Sequence, residues 1–441
     1  MTFRQRISLD RWFAVPLAVV VNAAVRIAGL ILRRDHTIRR ETTRRIVVCK
    51  LVGMGSVIQA SPLLRALKAT FPEARLTFLT LKGNRNLLTR LDGVDDVLCL
   101  DDSGAVRMLV STARAVIKMM TMRVDHYFDL EVYSGFSCLL SVFSLAQNRL
   151  GFYRHSNRFK KGIYTHLVYF NTRMPVRRLY LQLGRVAGVG TDCDDRLGSI
   201  RIEPSERESM RQRLATLGVD LQQPYVLVNP NASDLLLERR WPEGNFVTAL
   251  SELAKAGRQA VLMGSQAEAP FVQNLRNQVP EPFRKQIVDT SGLLTLGEAF
   301  ALIESAACVL TNDTGPMHMA FALARPSVCL VGPADPVHYG LEMPWIVTLY
   351  ARVPCSPCIY EVDEPPCHGN NVCMQRLHPE LVVGKVLELL GRGKDSGIHS
   401  EEDTGTVRLP LIWDSDRGQP LGIVVRESVR LAINGLDEGG K

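Results

Sequence analysis

From about residue 44 onward the chain alternates short β-branched runs with helix-length amphipathic stretches. Residues 46–50 read as a strand, 57–70 as a helix, 76–79 as a strand, 84–91 as a helix, 97–100 as a strand, 105–120 as a helix and 127–130 as a strand. This order predicts a parallel sheet covered on both faces. The rhythm breaks near residue 190, where Gly188-Val189-Gly190 leads into a charged, Pro-containing stretch with a connecting helix at 205–217. It restarts with strands at 225–228, 260–263, 309–311 and 327–331, each followed by a turn and a helix. The fold class expected is therefore α/β, with two doubly wound domains at 44–204 and 205–390 facing a cleft. The remainder, 391–441, is Gly- and charge-rich, with a strand-like run at 422–425 and no functional reading.

Ahead of the first strand, residues 12–32 are mostly apolar and long enough to span a bilayer as a helix. Arg26 inside that span would cost roughly 2.5 to 3.5 kcal/mol on insertion scales. Arg11, Asn22, Arg26, Gly29 and Arg33 fall on one helical stripe, which suits a helix lying in the interface with its arginines on anionic headgroups. A transmembrane anchor and a cleaved signal peptide, cut near 21–23, are the alternatives. The flanking arginines disfavour a buried core helix, so segment 1–43 is expected to associate with a membrane.

Charge sharpens this division. The first 45 residues hold ten arginines and three acids, which accounts for nearly all of the net charge of +8 and leaves a near-neutral body. That balance excludes a generic nucleic-acid binder. Of the 10 cysteines, Cys355, Cys358, Cys367 and Cys373 share one short stretch and the rest are scattered through apolar segments, which is unlike a secreted disulfide framework and favours a reducing compartment.

Open parallel sheets bind ligands at the carboxyl ends of their strands, so the residues just after each strand carry the candidate chemistry. After 309–311 comes Asn312-Asp313-Thr314-Gly315-Pro316-Met317-His318 and then an apolar helix. Pro316 suits the first helical position and Thr314 or Gly315 the cap, which leaves backbone N–H groups and the positive helix end to seat a diphosphate. Asn231 lies in the small-residue turn Asn229-Pro230-Asn231-Ala232-Ser233. Arg239 and Arg240 offer guanidinium groups to phosphate oxygens, and Glu268 offers a carboxylate to ribose hydroxyls.

Taken in order, these motifs resemble glycosyltransferase family 9, the lipopolysaccharide heptosyltransferases. The resemblance covers roughly residues 44–390. It rests on the first turn, Lys50-Leu51-Val52-Gly53-Met54-Gly55-Ser56-Val57-Ile58-Gln59-Ala60-Ser61-Pro62, on Arg239-Arg240-Trp241-Pro242, on Asn312 to His318, and on Gly332-Pro333-Ala334-Asp335-Pro336. It implies the two-domain GT-B fold, with the acceptor on the first domain and a nucleotide diphosphate sugar on the second. It also implies inverting transfer, without an obligatory metal or cofactor, onto a lipid-linked saccharide. The donor most in keeping with it is ADP-heptose, the acceptor lipopolysaccharide core, and the place the cytoplasmic face of the inner membrane. Carried over by position, Arg239 matches the phosphate-contacting base and Glu268 the ribose-contacting acid. Asp313, Thr314, Gly315 and His318 match the turn that meets diphosphate and sugar, and Gly53, Gly55 and Ser56 the acceptor turn.

One departure stands out. The family usually has Gly-Asp where this chain has Gly55-Ser56, and that Asp is the proposed base. A serine is far too weak a base near neutral pH. The base is expected to have moved to a carboxylate after the fourth strand, Asp129 or Glu131. Other activation, a different nucleotide sugar, or a catalytically silent sugar-nucleotide-binding homologue are the alternatives.

Two further signals remain. From Arg149 to Arg185 there are nine Lys or Arg and no acid, interleaved with aromatics. Arg154, Lys160 and Lys161 in this stretch are candidates for a phosphorylated lipid-linked glycan or an anionic bilayer. The spacing of Cys355, Cys358, Cys367 and Cys373 allows a structural zinc site, with reduced or disulfide-paired cysteines as the competing reading. The helix beginning near residue 378 is expected, by GT-B precedent, to cross back onto the first domain. Asp192-Cys193-Asp194 lies in the interdomain segment and is discounted as a metal motif.

Overall fold

The computed structural model describes residues 10–232, 236–359, 361–362, 365–392, 411–414 and 419–420. Its first sheet has six parallel strands: β1 (Arg45–Cys49), β2 (Arg75–Leu81), β3 (Asp96–Leu100), β4 (His126–Asp129), β5 (Asn148–Tyr153) and β6 (His166–Tyr169). Their spatial order is β3-β2-β1-β4-β5-β6. Alternation along β1 explains why the strand is apolar throughout. Ile46 and Val48 face one layer with Leu63, Leu67, Leu179 and Leu183, while Val47 and Cys49 face the other with Ala115, Met119 and Leu140.

The second sheet runs β14-β13-β12-β11-β10-β7-β8-β9. It comprises β7 (Tyr225–Asn229), β8 (Gln259–Leu262), β9 (Ile287–Asp289), β10 (Cys308–Asn312), β11 (Ser327–Val331), β12 (Ile346–Ala351), β13 (Leu411–Asp414) and β14 (Gln419–Pro420). All neighbours are parallel except β13 and β14. In each sheet the strand order reverses beside the first strand, between β1 and β4 and between β7 and β10. Those are the two points where a doubly wound sheet opens a ligand crevice.

The two units meet through a shared apolar core. One cluster joins Leu63, Phe128 and Leu183 of the first to Leu227, Phe300 and Val309 of the second. The helix Pro204–Thr216 packs on helix Leu296–Ser305 and takes a two-pronged ion pair from Arg90 of the first unit, at 2.5 and 2.7 Å to Glu206.

Several expectations change. The helix read over 57–70 is two, Met54–Gln59 and Ser61–Thr70. Strands β5, β6, β9, β12, β13 and β14 were not foreseen, the last two falling in the tail after 391. Helix Pro379–Arg392 stays with the second sheet, burying Val382, Val386 and Leu389 against Val328, Leu330 and Leu250, and does not cross back. The run at 422–425 lies outside the described residues.

The N-terminal segment also departs from its expected orientation. Helix Val15–Leu32, preceded by the turn Asp10–Ala14, turns one residue of its polar stripe, Asn22, inward, with Arg26 reaching back beside it, while Arg11, Gly29 and Arg33 stay exposed. Asn22 donates to the carbonyls of Phe159 (2.6 Å) and Lys161 (2.5 Å), and Arg26 donates to Lys161 O at 2.8 Å. Gly162 leaves room for both side chains, since a Cβ there would lie 2.3 Å from Arg26 Nε. Asp10 caps helix Gly135–Phe143, accepting from Gly135 N (2.9 Å) and Phe136 N (2.7 Å). The apolar face, with Trp12, Phe13, Val20, Ile27, Leu30 and Ile31, is left outward. Asn22 and Arg26 gain carbonyl partners on this side, which fixes the helix with its apolar face turned away from the body.

Candidate active site between the domains

The first turn follows β1. Lys50, Leu51, Val52 and Gly53 lead into helix Met54–Gln59, whose entry needs Gly53 at φ +91°. This loop is held by Glu131. One oxygen of its carboxylate, Oε1, accepts from Leu51 N at 2.8 Å and Val52 N at 3.1 Å and pairs with Lys50 Nζ at 2.8 Å. Burial pushes this carboxyl up, but the Lys50 charge and these donors outweigh it and hold the group below the usual range. Glu131 thus carries a negative charge to the turn on which Ser56 sits.

Asp129 is placed differently. It is fully buried, accepting from Glu131 N (2.9 Å), Ser137 Oγ (2.8 Å) and the Tyr164 hydroxyl. Burial raises its pKa despite the nearby Lys160 charge. It braces the loop after β4 and has no open path to a substrate, which removes it as a base. Lys160 is corrected likewise: its side chain is fully buried and its ammonium donates to Glu131 O at 2.6 Å, so it supports the same loop from below. Arg154 stays at the rim, bonded to Tyr133 OH and 3.6 Å from Glu361 of the second unit. Lys161 lies 4.6 Å over the Tyr153 ring.

Across the cleft, β10 ends in Asn312, whose side chain donates to Asn231 O (3.1 Å) and accepts from Trp241 N (3.1 Å). It ties the turns after β7 and β10 together. Asn231 itself is buried, its Oδ1 accepting from Ala232 N. Helix Gly315–Ala322 starts at Thr314 with no side-chain cap; the Thr314 hydroxyl donates instead to Asn229 Oδ1 at 3.2 Å. Pro316 falls at the second helical position, one place further in than expected. Pro316 has no N–H and Met317 N donates to Thr314 O at 3.1 Å, so the amides left to an anion at this helix start are those of Thr314 and Gly315.

The consecutive arginines diverge. Arg239 points to Asp313, with Nε 3.6 Å from Oδ2, longer than a hydrogen bond, while both side chains are largely buried. Asp313 Oδ2 is buried without a hydrogen bond. Arg240 lies over the Phe271 ring at 4.4 Å. Glu268 turns back on its own loop, accepting from Ser265 N at 2.6 Å.

His318 joins the two halves. Its Nδ1 stands 3.1 Å from Gln59 Nε2, and the same amide donates to Tyr339 O at 3.3 Å. Gly55 lies against the ring so closely that a Cβ there would meet Cδ2 at 2.1 Å. Burial pushes the imidazole pKa down to about 4, against the pull of Asp313 and helped by Arg239, so the ring is neutral at physiological pH. Gln59 was not foreseen as a site residue. Its position one helical turn beyond Gly55 was the available signal.

For the cysteine stretch, structural zinc and reduced or disulfide-paired thiols are the competing readings. Cys373's thiol is pushed up to about 12, by burial first and then by the charges of Cys358, Cys355 and Cys367, so the four are neighbours. Among the described residues, however, no three His, Cys, Asp or Glu side chains are arranged to hold a metal ion. All ten cysteines are free thiols, so the disulfide alternative is not realised either.

Comparisons with known proteins bear on the family and the fold. Lipopolysaccharide heptosyltransferase 2 of Salmonella typhimurium is 24% identical over 295 residues, covering 66% of this chain and 84% of that protein. Lipooligosaccharide heptosyltransferase 2 of Haemophilus influenzae is 30% identical over 141 residues, 31% of this chain and 40% of that protein. The solved structure of E. coli ADP-heptose LPS heptosyltransferase II superposes with a TM-score of 0.64 at 18% identity, over 80% of this chain and 100% of that one. A family 9 glycosyltransferase from Veillonella parvula gives 0.66 at 19% identity, over 79% and 97%. The model of glycosyltransferase family 9 (heptosyltransferase) matches residues 136–367, more than half of the chain, and the protein belongs to that family.

Proposed function

We propose that this enzyme transfers heptose from ADP-heptose, with inversion, to a lipid-linked saccharide of the lipopolysaccharide core type. The observation that carries this reading is the pairing of two turns across the cleft. On one side stands the uncapped start of helix Gly315–Ala322 beside Arg239 and Asp313; on the other stands the Glu131-braced turn bearing Gly55 and Ser56. The diphosphate would lie on the Thr314 and Gly315 amides and Arg239, whose positive potential favours the charge that grows on the leaving group. Asn231 and Arg240 would border it, and Glu268 would release its own loop to take the ribose hydroxyls.

In the transfer step the acceptor oxygen forms a bond to the anomeric carbon as the bond from that carbon to the diphosphate breaks. Nucleoside diphosphate leaves with the electron pair, and the acceptor proton passes to a base. Glu131 is the base in this reading, through Oε2, the oxygen not engaged by Lys50 and the backbone. Arg154 and Lys161 at the rim would meet phosphate on the acceptor.

The outward apolar face of helix Val15–Leu32 supports a monotopic attachment through residues 12–32. The free thiols support a cytoplasmic face, as at an inner membrane. Titration of nucleotide diphosphates and nucleotide sugars into the full chain in detergent tests the donor, with Asp313→Ala as the control. Selective ADP or ADP-heptose binding, followed by product of inverted anomeric configuration, is expected. Binding of a nucleotide sugar without transfer would leave the catalytically silent sugar-nucleotide-binding homologue as the reading, and no binding of any member would overturn the donor assignment.

A further inference from the structure

Helix Ala105–Met122 has two apolar faces, and only one has a partner. At 100° per residue, Met108, Ala115, Met119 and Met122 lie on the side packed onto β1, β2 and β3. Val106, Leu109, Val110, Ala113, Ile117 and Met120 form a second stripe on the opposite side. It is strongly exposed, with Val106 at 75%, Leu109 at 71% and Ile117 at 60%. Between the two, Arg107, Arg114 and Lys118 form a basic stripe, and the helix contains no acid. A solvated helix would be polar on this outer face. A helix with an apolar stripe edged on one side by cations matches a bilayer surface with anionic headgroups.

Its neighbours share the same side of the sheet. Helix Gly135–Phe143 touches both helix 105–122 and helix Val15–Leu32, so the three form one layer, and Phe143 and Leu145 are exposed at its end. The N-terminal helix and helix 105–122 thus both pack on helix Gly135–Phe143, and each carries an exposed apolar face.

We propose that helix Ala105–Met122 is a second membrane-contacting element, whose apolar stripe enters an anionic bilayer alongside the N-terminal helix while Arg107, Arg114 and Lys118 bind headgroup phosphates. The proposal rests on the monotopic reading of residues 12–32 given above and extends the contact to a separate part of the fold. Flotation of the full chain with vesicles of phosphatidylglycerol and phosphatidylcholine, and of phosphatidylcholine alone, tests it. Leu109→Ser with Ile117→Ser lowers partitioning on both vesicles by about tenfold or more, the loss expected for two half-inserted aliphatic side chains. Arg114→Gln with Lys118→Gln lowers it about fivefold per charge on the anionic vesicles only. These side chains are exposed, so thermal melts should match the wild type. If the first pair does not fold, the charge pair carries the test by itself.

A parallel variant, Leu30→Ser with Ile31→Ser, separates the two readings. If it releases the protein while both 105–122 variants partition like the wild type, the proposal is overturned and the N-terminal attachment stands. If all three variants partition like the wild type, both readings fall. Sedimentation without vesicles covers self-association: a wild-type dimer that Leu109→Ser with Ile117→Ser makes monomeric, with vesicle binding unchanged, also overturns the proposal.

Discussion

Replacing Gly55 by alanine puts the contact between the two domains under direct load. A Cβ at Gly55 would lie 2.1 Å from His318 Cδ2, 2.8 Å from Nε2 and 2.9 Å from Cγ. The ring is hemmed in by Phe321 and Tyr339, edge-on at 6.1 and 5.8 Å, and by the Gln59 amide. Either His318 moves and gives up the Gln59 bond, worth about 0.5–1.5 kcal/mol, or the domains part. Overpacking of this kind typically costs about 1–3 kcal/mol. Together the closed arrangement should lose about 2–4 kcal/mol, which is roughly 30- to 1,000-fold in its population. If transfer needs both turns together, kcat/KM falls on that scale while ADP binding, proposed above for the second domain, is retained. Small-angle scattering should show a larger radius of gyration. The control is Gly384→Ala, at an exposed helical position with nothing within 4 Å of the added Cβ, which should stabilise by about 0.5–1 kcal/mol. A Gly55→Ala protein with wild-type kcat/KM and unchanged scattering would refute the argument.

Other expectations follow from the same geometry. Glu131→Gln should lower kcat about 10²- to 10⁴-fold with ADP affinity kept. Because the Lys50 charge helps hold Glu131's carboxyl down, Lys50→Met should move the acid limb of the kcat/KM profile to higher pH; an unmoved limb takes the base assignment from Glu131. The folded-state pKa of His318, about 4, lies below its unfolded value near 6.5, so protons favour the open or unfolded chain and stability is lost as pH falls from about 6.5 towards 4. That loss should be roughly 3 kcal/mol in urea melts. It should flatten in His318→Gln, and equal slopes for the two proteins would exclude the idea. Asp10→Ala removes the acceptor of two helix N–H groups and should destabilise helix Gly135–Phe143 by about 1 kcal/mol, read as faster proteolysis between residues 10 and 32.

The strands that could be read in advance are those buried on both faces. Val47-Val48 in β1 and Val226-Leu227-Val228 in β7 are continuous apolar runs because parallel strands have no solvent side. β5 and β6 escaped because they lie toward the edge and carry Arg149, Tyr153, His166 and Tyr169, the same residues that made 149–185 look like a ligand surface. Arg149 spends its guanidinium on the carbonyls of Ile163 and Ala146, so much of that basic character is structural. At the site, Asp313, Thr314 and Arg239 were legible because turns after strands leave short-range signatures. The choice between Asp129 and Glu131 was not, because two acids two positions apart would share a face if the strand continued, and they diverge only because β4 ends at Asp129. Asp129 points into the Ser137–Tyr164 interior, whereas Glu131 reaches back to the loop after β1. The docking of Asn22 was hidden for a similar reason, since its partners are carbonyls more than 130 residues away.

The direction of the N-terminal helix has a kinetic consequence. Asp10 holds its first turn beside residues 134–136, at the cleft end of β4, and His36 meets Gln147 O at the opposite end of the sheet. Its 18 residues, about 27 Å long, therefore run down the side of the first domain. With the outer face of that helix on a membrane, the cleft opens alongside the lipid surface, and a lipid-linked acceptor would arrive by diffusing in the plane. Turnover would then follow the mole fraction of acceptor in the bilayer, and diluting it with inert lipid at fixed bulk concentration would slow the enzyme.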